Sequence, residues 1–244
     1  MSEPNSTPVS SGSLATFWAI FHFRRNLRRK PLRRAAVFVA LFSLALVGGL
    51  GQKFHLLPLV VLTSPALLAL FFASGVLREE IEDQTLTYAY TRPVNRGHLY
   101  IARIVAAAGA VICLSFPMAF AAGLSDDLPT ALRFGAVSAL ACLVYSAVFG
   151  LVGLLLRAAV PFSLAFLVLF DAPVSEVPGF LSRLTVQVHL RTLSGLPSSL
   201  SFLSKLGEPP EPLVSVVVLV ALAVAAAGIG AWRVSTREVP LAKG

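Results

Sequence analysis

The sequence predicts an all-α membrane protein: six transmembrane helices, an N-terminal interfacial helix, a short cytoplasmic helix between spans 2 and 3, and short outer helices between spans 5 and 6. Three observations predict it. Hydrophobic residues make up 56% of the 244 residues and charged residues only 13%, with a mean hydropathy of +0.80; a soluble domain carries about 25% charged residues, so lipid is the solvent that fits. Uncharged apolar runs recur along the chain, most of them long enough for a hydrocarbon core of about 30 Å. The basic residues are sorted to one side of those runs.

Residues 1–13 are rich in Ser and Pro and read as a disordered tail, with no cleavable signal peptide expected. Residues 14–34 read as a cytoplasmic interfacial helix. Leu14, Phe17, Trp18 and Phe21 recur at helical spacing, and Arg24, Arg25, Arg28, Arg29 and Lys30 follow, where anionic headgroups attract each charge by roughly 1 kcal/mol. Pro31 breaks this helix before the first span.

The six-span domain covers residues 35–232, with spans at Ala35–Gln52, Phe54–Leu77, Ile104–Ser125, Phe134–Leu156, Ala158–Phe170 and Leu213–Trp232. Phe134 to Phe170 as one helix would be roughly 55 Å long at 1.5 Å per residue, too long for one crossing. A turn near Arg157, with Pro161 in the first turn of the next helix, divides it. With both termini in the cytoplasm, fifteen Lys and Arg residues lie inside and five outside (Lys53, Arg133, Arg183, Arg191 and Lys205), which fixes the orientation, including a cytoplasmic tail at 233–244. The outer segment 171–212 carries Phe180, Leu181, Leu184 and Val188 at helical spacing between prolines. Short amphipathic helices near the outer surface, dipping back toward the membrane, or an ordinary outer loop both fit it.

Several chemistries have no basis in the sequence. There is no GxxxxGK[ST] phosphate loop, no GxSxG elbow, and the four histidines, His22, His55, His98 and His189, form no ligand-spaced pair. Cys113 and Cys142 each sit in an apolar run and read as packing residues. The net charge of +8 is not interleaved with aromatics as base-stacking surfaces are, so nucleic acid is not an expected partner. No charge falls in the centre of a span; Asp171 and Arg133 are placed at the outer ends, within reach of water. Proton- or sodium-driven transport is therefore disfavoured.

One segment breaks the pattern. Residues 78–98 form the largest cytoplasmic loop, and its first part is acidic: Glu79, Glu80, Glu82 and Asp83 hold a third of the chain's twelve carboxylates. Anionic lipid repels such a group, whereas a basic protein surface would select it. Leu77, Ile81 and Tyr88 share a helical face, Pro93 forces a turn after Arg92, and Asn95 is a good N-cap for the helix entering span 3.

These residues resemble the permeases of ABC-2-type transporters, six-span proteins with an acidic cytoplasmic segment between spans 2 and 3. Glu79, Glu80 and Glu82 match the acids, Thr85 and Leu86 the end of a Gly-Thr-Leu triplet, and Pro93, Val94 and Arg96 a Pro–hydrophobic–Ser–Arg turn. Gln84 replaces the glycine, Asn95 the serine, and Arg103 stands where a lysine is common.

The resemblance implies a non-catalytic permease subunit of the bacterial cytoplasmic (inner) membrane, paired with a second copy of itself and with two separate P-loop ATPase chains. The segment with Glu79, Glu80, Glu82, Asp83, Thr85, Leu86, Arg92, Pro93 and Arg96 would be the coupling helix and turn that dock on the ATPase. This chain would bind no cofactor; ATP and Mg belong to the ATPase. The work would move a substrate across the membrane or act as force on a protein partner outside. A membrane scaffold and an intramembrane lipid-modifying enzyme are the competing readings.

Overall fold

Long uncharged stretches leave the backbone no partner in lipid except itself, so they form continuous helices. The computed structural model describes residues 16–21, 57, 59–73, 96–156, 158–177, 179–197 and 210–236, and all regular structure among them is helical. The first span Ala35–Gln52, the basic residues Arg24, Arg25, Arg28, Arg29 and Lys30, and the acidic segment from Arg78 through Asn95 lie outside the described residues.

The helices are α1 (16–21), α2 (Ser64–Ala73), α3 (Arg96–Leu124), α4 (Leu128–Leu155), α5 (Ala159–Ala165), α6 (Val186–Ser194) and α7 (Pro212–Thr236). Three of them, α3, α4 and α7, are long and apolar enough to cross a membrane. Two shorter apolar stretches accompany them, Val60–Ala73 and Ala159–Val174. The expected break near Arg157 is present: α4 ends at Leu155 and α5 begins at Ala159 with Pro161 in its first turn.

Proline shapes both short stretches. Pro65 cannot donate a backbone hydrogen bond, and the turn before it, Leu59–Thr63, widens into a π-helix. The same happens ahead of Pro173: α5 passes through a π-helical turn at Phe166–Asp171 before its last turn, Ala172–Val174. The π turn changes which way its residues face, and this aims Asp171 into the protein.

α3 and α4 form an antiparallel hairpin around the tight turn at residues 125–127. Asp127 caps α4 by accepting from the Thr130 amide at 2.7 Å, and the Thr130 hydrogen bonds hold its carboxyl below the usual carboxylate range. Gly123 makes the close approach possible, because a Cβ there would stand 2.6 Å from the Ala131 Cα. α2 fills the groove of the hairpin with Ala66, Ala69, Leu70 and Ala73, all buried against alanines and valines of α3 and α4. Lipid tails are as apolar as leucine, so this assembly gains from close packing of small residues rather than from removal of water.

α7 lies along α3 and α4 by a single narrow face, Ser215, Leu219, Ala226, Gly230 and Val234. Its other faces expose Leu213, Val217, Val220, Val224, Ile229 and Trp232. Such a helix suits a lipid surrounding.

Candidate functional site

The structure collects the polar groups of the chain around α6, the helix of the outer segment. Thr185 precedes α6 without capping it through its side chain. Asp171 takes that place from the end of α5: its Oδ1 accepts the Val186 amide at 2.8 Å and the Gln187 amide, more weakly, at 3.4 Å. Its Oδ2 accepts the hydroxyl of Tyr145, which is itself fully buried on α4. A carboxylate at a helix N-terminus also faces the positive end of the helix dipole.

The rest of α6 is tied as firmly. His189 Nε2 lies 2.9 Å from the Arg183 carbonyl, which can only accept, so Nε2 carries the proton and Nδ1 accepts from the Ser215 hydroxyl of α7 at 3.1 Å. Arg191 and Glu176 form an ion pair at 2.5 Å with both side chains largely covered. At the C-terminus Gly195 takes the left-handed conformation, φ +70°, and Arg133 of α4 donates to the carbonyl of Ser194, a buried residue of the last turn.

Depth follows from helix rise. Tyr145 is about 15 Å along α4 from Leu155, and Asp171 about 18 Å along its own stretch from Ala159, so the pair meets far from the α4–α5 turn. From that level α6 runs back toward the 125–127 turn, where Arg133 receives it. The outer segment is therefore inserted between α4 and α7, with Val186 and Leu190 in the shared core.

One placement corrects the sequence reading: Asp171 does not reach water at the end of a span, since it is 0% exposed. Arg103, the basic residue entering span 3, is buried on α3 and engages a partner within the protein. The expected apolar face of the outer segment also divides. Phe180, Leu181 and Leu184 are exposed around a 3-10 turn, Leu181–Leu184, while Val186 and Leu190 face the core.

Of the residues singled out for ATPase coupling, Arg96 is exposed at the first position of α3. Glu79, Glu80, Glu82, Asp83, Thr85, Leu86, Arg92 and Pro93 lie outside the described residues. Trp18 is in α1, its ring meeting Phe17 and Phe21 edge-on at 6.5 and 5.9 Å. Among the described residues no group of His, Cys, Asp and Glu is arranged to hold a metal ion. Asp171 and His189 both engage partners on other elements, which ties α6 to α4 and α7.

Compared with known proteins, the chain matches no protein-family model and no curated protein.

Proposed function

We propose that this chain is the membrane-spanning subunit of an ABC-2-type exporter, working as a pair and driven by two separate P-loop ATPase chains. One observation carries the reading. α2 ends at Ala73 and α3 begins at Arg96, so the acidic segment with the Glu79–Arg96 pattern joins these two core helices. A push on that segment is delivered to the centre of the bundle, because α2 and one side of α3 are buried there. At the other end, the tethered α6 gives the helices a rigid part to work against. Six spans, cytoplasmic termini and a bacterial inner-membrane location belong to the same proposal. In it, α1 lies in the cytoplasmic membrane surface with Arg24, Arg25, Arg28, Arg29 and Lys30 beside it.

Co-expression of the chain with P-loop ATPase chains from the same genome tests the reading. A stable complex is expected, with two copies of each chain and ATP turnover above that of the ATPase alone. Absence of both a complex and stimulation would refute it. Orientation is tested separately with Thr87→Cys in intact cells: an impermeant thiol reagent is expected to react only after the membrane is opened. Labelling from outside would reverse the topology.

A further inference from the structure

At the Arg96 end of the bundle α3 is keyed into both of its long neighbours. Tyr100 and Ile104, one turn apart on α3, are buried at 1% and 5% exposure. A Cβ at Gly230 of α7 would stand 2.4 Å from Tyr100 Cε1, Cζ and Oη, so the ring rests on the backbone of α7 itself. A Cβ at Gly150 of α4 would stand 2.1 Å from Ile104 Cδ1 and 3.6 Å from the Tyr100 hydroxyl. Each glycine is a notch, and α3 fills both. Ala147, Ala226 and Val234 close the cluster.

The hydroxyl at the tip of this ring is enclosed yet finds no hydrogen-bond partner among the described residues. A phenylalanine would fill the same space without the desolvation penalty of a lone phenol. A helix carbonyl keeps a second lone pair free, and glycine leaves it uncovered. Helix shifts of about 1–2 Å are the ordinary size of a switching step at a helix interface, enough to bring such a carbonyl within reach.

Resting on the coupling reading above, we propose that Tyr100 is the positioning residue that passes a shift of α3 to α4 and α7. In the conformation described here its ring is seated on the two glycines with its hydroxyl unpaired. In the shifted conformation the hydroxyl bonds to a backbone carbonyl beside Gly150 or Gly230. Its place supports the role: Tyr100 lies about 6 Å along α3 from Arg96, the last residue of the segment expected to meet the ATPase. Contact with backbone also transmits displacement without loss to rotamer changes.

The test uses the chain with its co-expressed P-loop ATPase in vesicles, reading complex formation, thermal midpoint and stimulated ATP turnover together. Tyr100→Phe keeps the packing; it is expected to form the complex, hold or raise the midpoint, and lose about threefold to tenfold of the stimulation. Gly230→Ala is expected to uncouple as strongly, and the double variant G230A/Y100L to recover its midpoint without recovering stimulation. Tyr100→Phe with wild-type stimulation would overturn the proposal, even if Gly230→Ala does not insert. A wild-type chain that neither binds nor stimulates the ATPase would instead overturn the permease reading itself.

Discussion

Replacing Asp171 by alanine is expected to lower the stability of the folded bundle by about 3 kcal/mol, one of the two largest effects anticipated here. The carboxylate is the acceptor for three donors, the Tyr145 hydroxyl and the Val186 and Gln187 amides, all buried. Alanine leaves all three without a partner at a depth where water does not substitute. The small average worth of interhelical hydrogen bonds in membranes, about 0.6 kcal/mol, does not apply directly. Two of these donors are backbone amides of α6, and they lose their only acceptor in this fold.

Asp171→Asn separates charge from hydrogen bonding. Its amide oxygen can accept from Val186 while its NH2 donates to the Tyr145 oxygen, so a loss of about 1 kcal/mol is expected. The order wild type, Asn, Ala in thermal midpoint in detergent is the predicted outcome, with proteolysis between α5 and α6 rising in the same order. An alanine variant as stable as wild type would show that Asp171 does not hold α6.

Much of the helical layout was legible because lipid leaves few alternatives. Uncharged length, Pro161 and the break at Arg157 located the end of α4 and the start of α5 to within a residue, whereas α4 begins at Leu128, before its expected start at Phe134. α3 begins well before its apolar run, since Arg96 through Arg103 continue the helix that hydropathy alone starts at Ile104. The burial of Arg103 depends on neighbours that spacing does not reveal.

Asp171 was misplaced because an acid at the edge of an apolar run usually marks the edge of the membrane. What moves it inward is the π-helical turn before Pro173 and a tyrosine 26 positions earlier in the chain. A usable signal existed in retrospect: an Asp two residues before a proline, and a Tyr in the middle of an otherwise apolar span. Segment 171–212 was legible only in outline. Short helices are present in it, but the 3-10 turn and Thr185 interrupt the four-residue spacing from Phe180 to Val188, so exposed and buried positions exchange.

The second large effect falls on the acidic segment. Glu79, Glu80 and Glu82 concentrate negative charge that anionic lipid repels, and in the proposal above a basic groove of the ATPase selects it. Reversing all three to lysine changes the local charge by six units. Like-charge contact costs several kcal/mol, so the affinity for such a groove is expected to fall by about 100-fold or more. In the sequence the three residues fall between α2 and α3, within the range of neither helix, and lysines there would be attracted by anionic lipid that repels the original acids. Insertion and thermal midpoint should therefore be retained.

The deciding measurement is thus co-purification of the co-expressed P-loop ATPase with the E79K/E80K/E82K variant, alongside its stimulated ATP turnover in vesicles. The account predicts an inserted, folded permease that recovers no ATPase and gives no stimulation. Full recovery of the ATPase with wild-type stimulation would contradict the claim that energy enters the bundle through this segment.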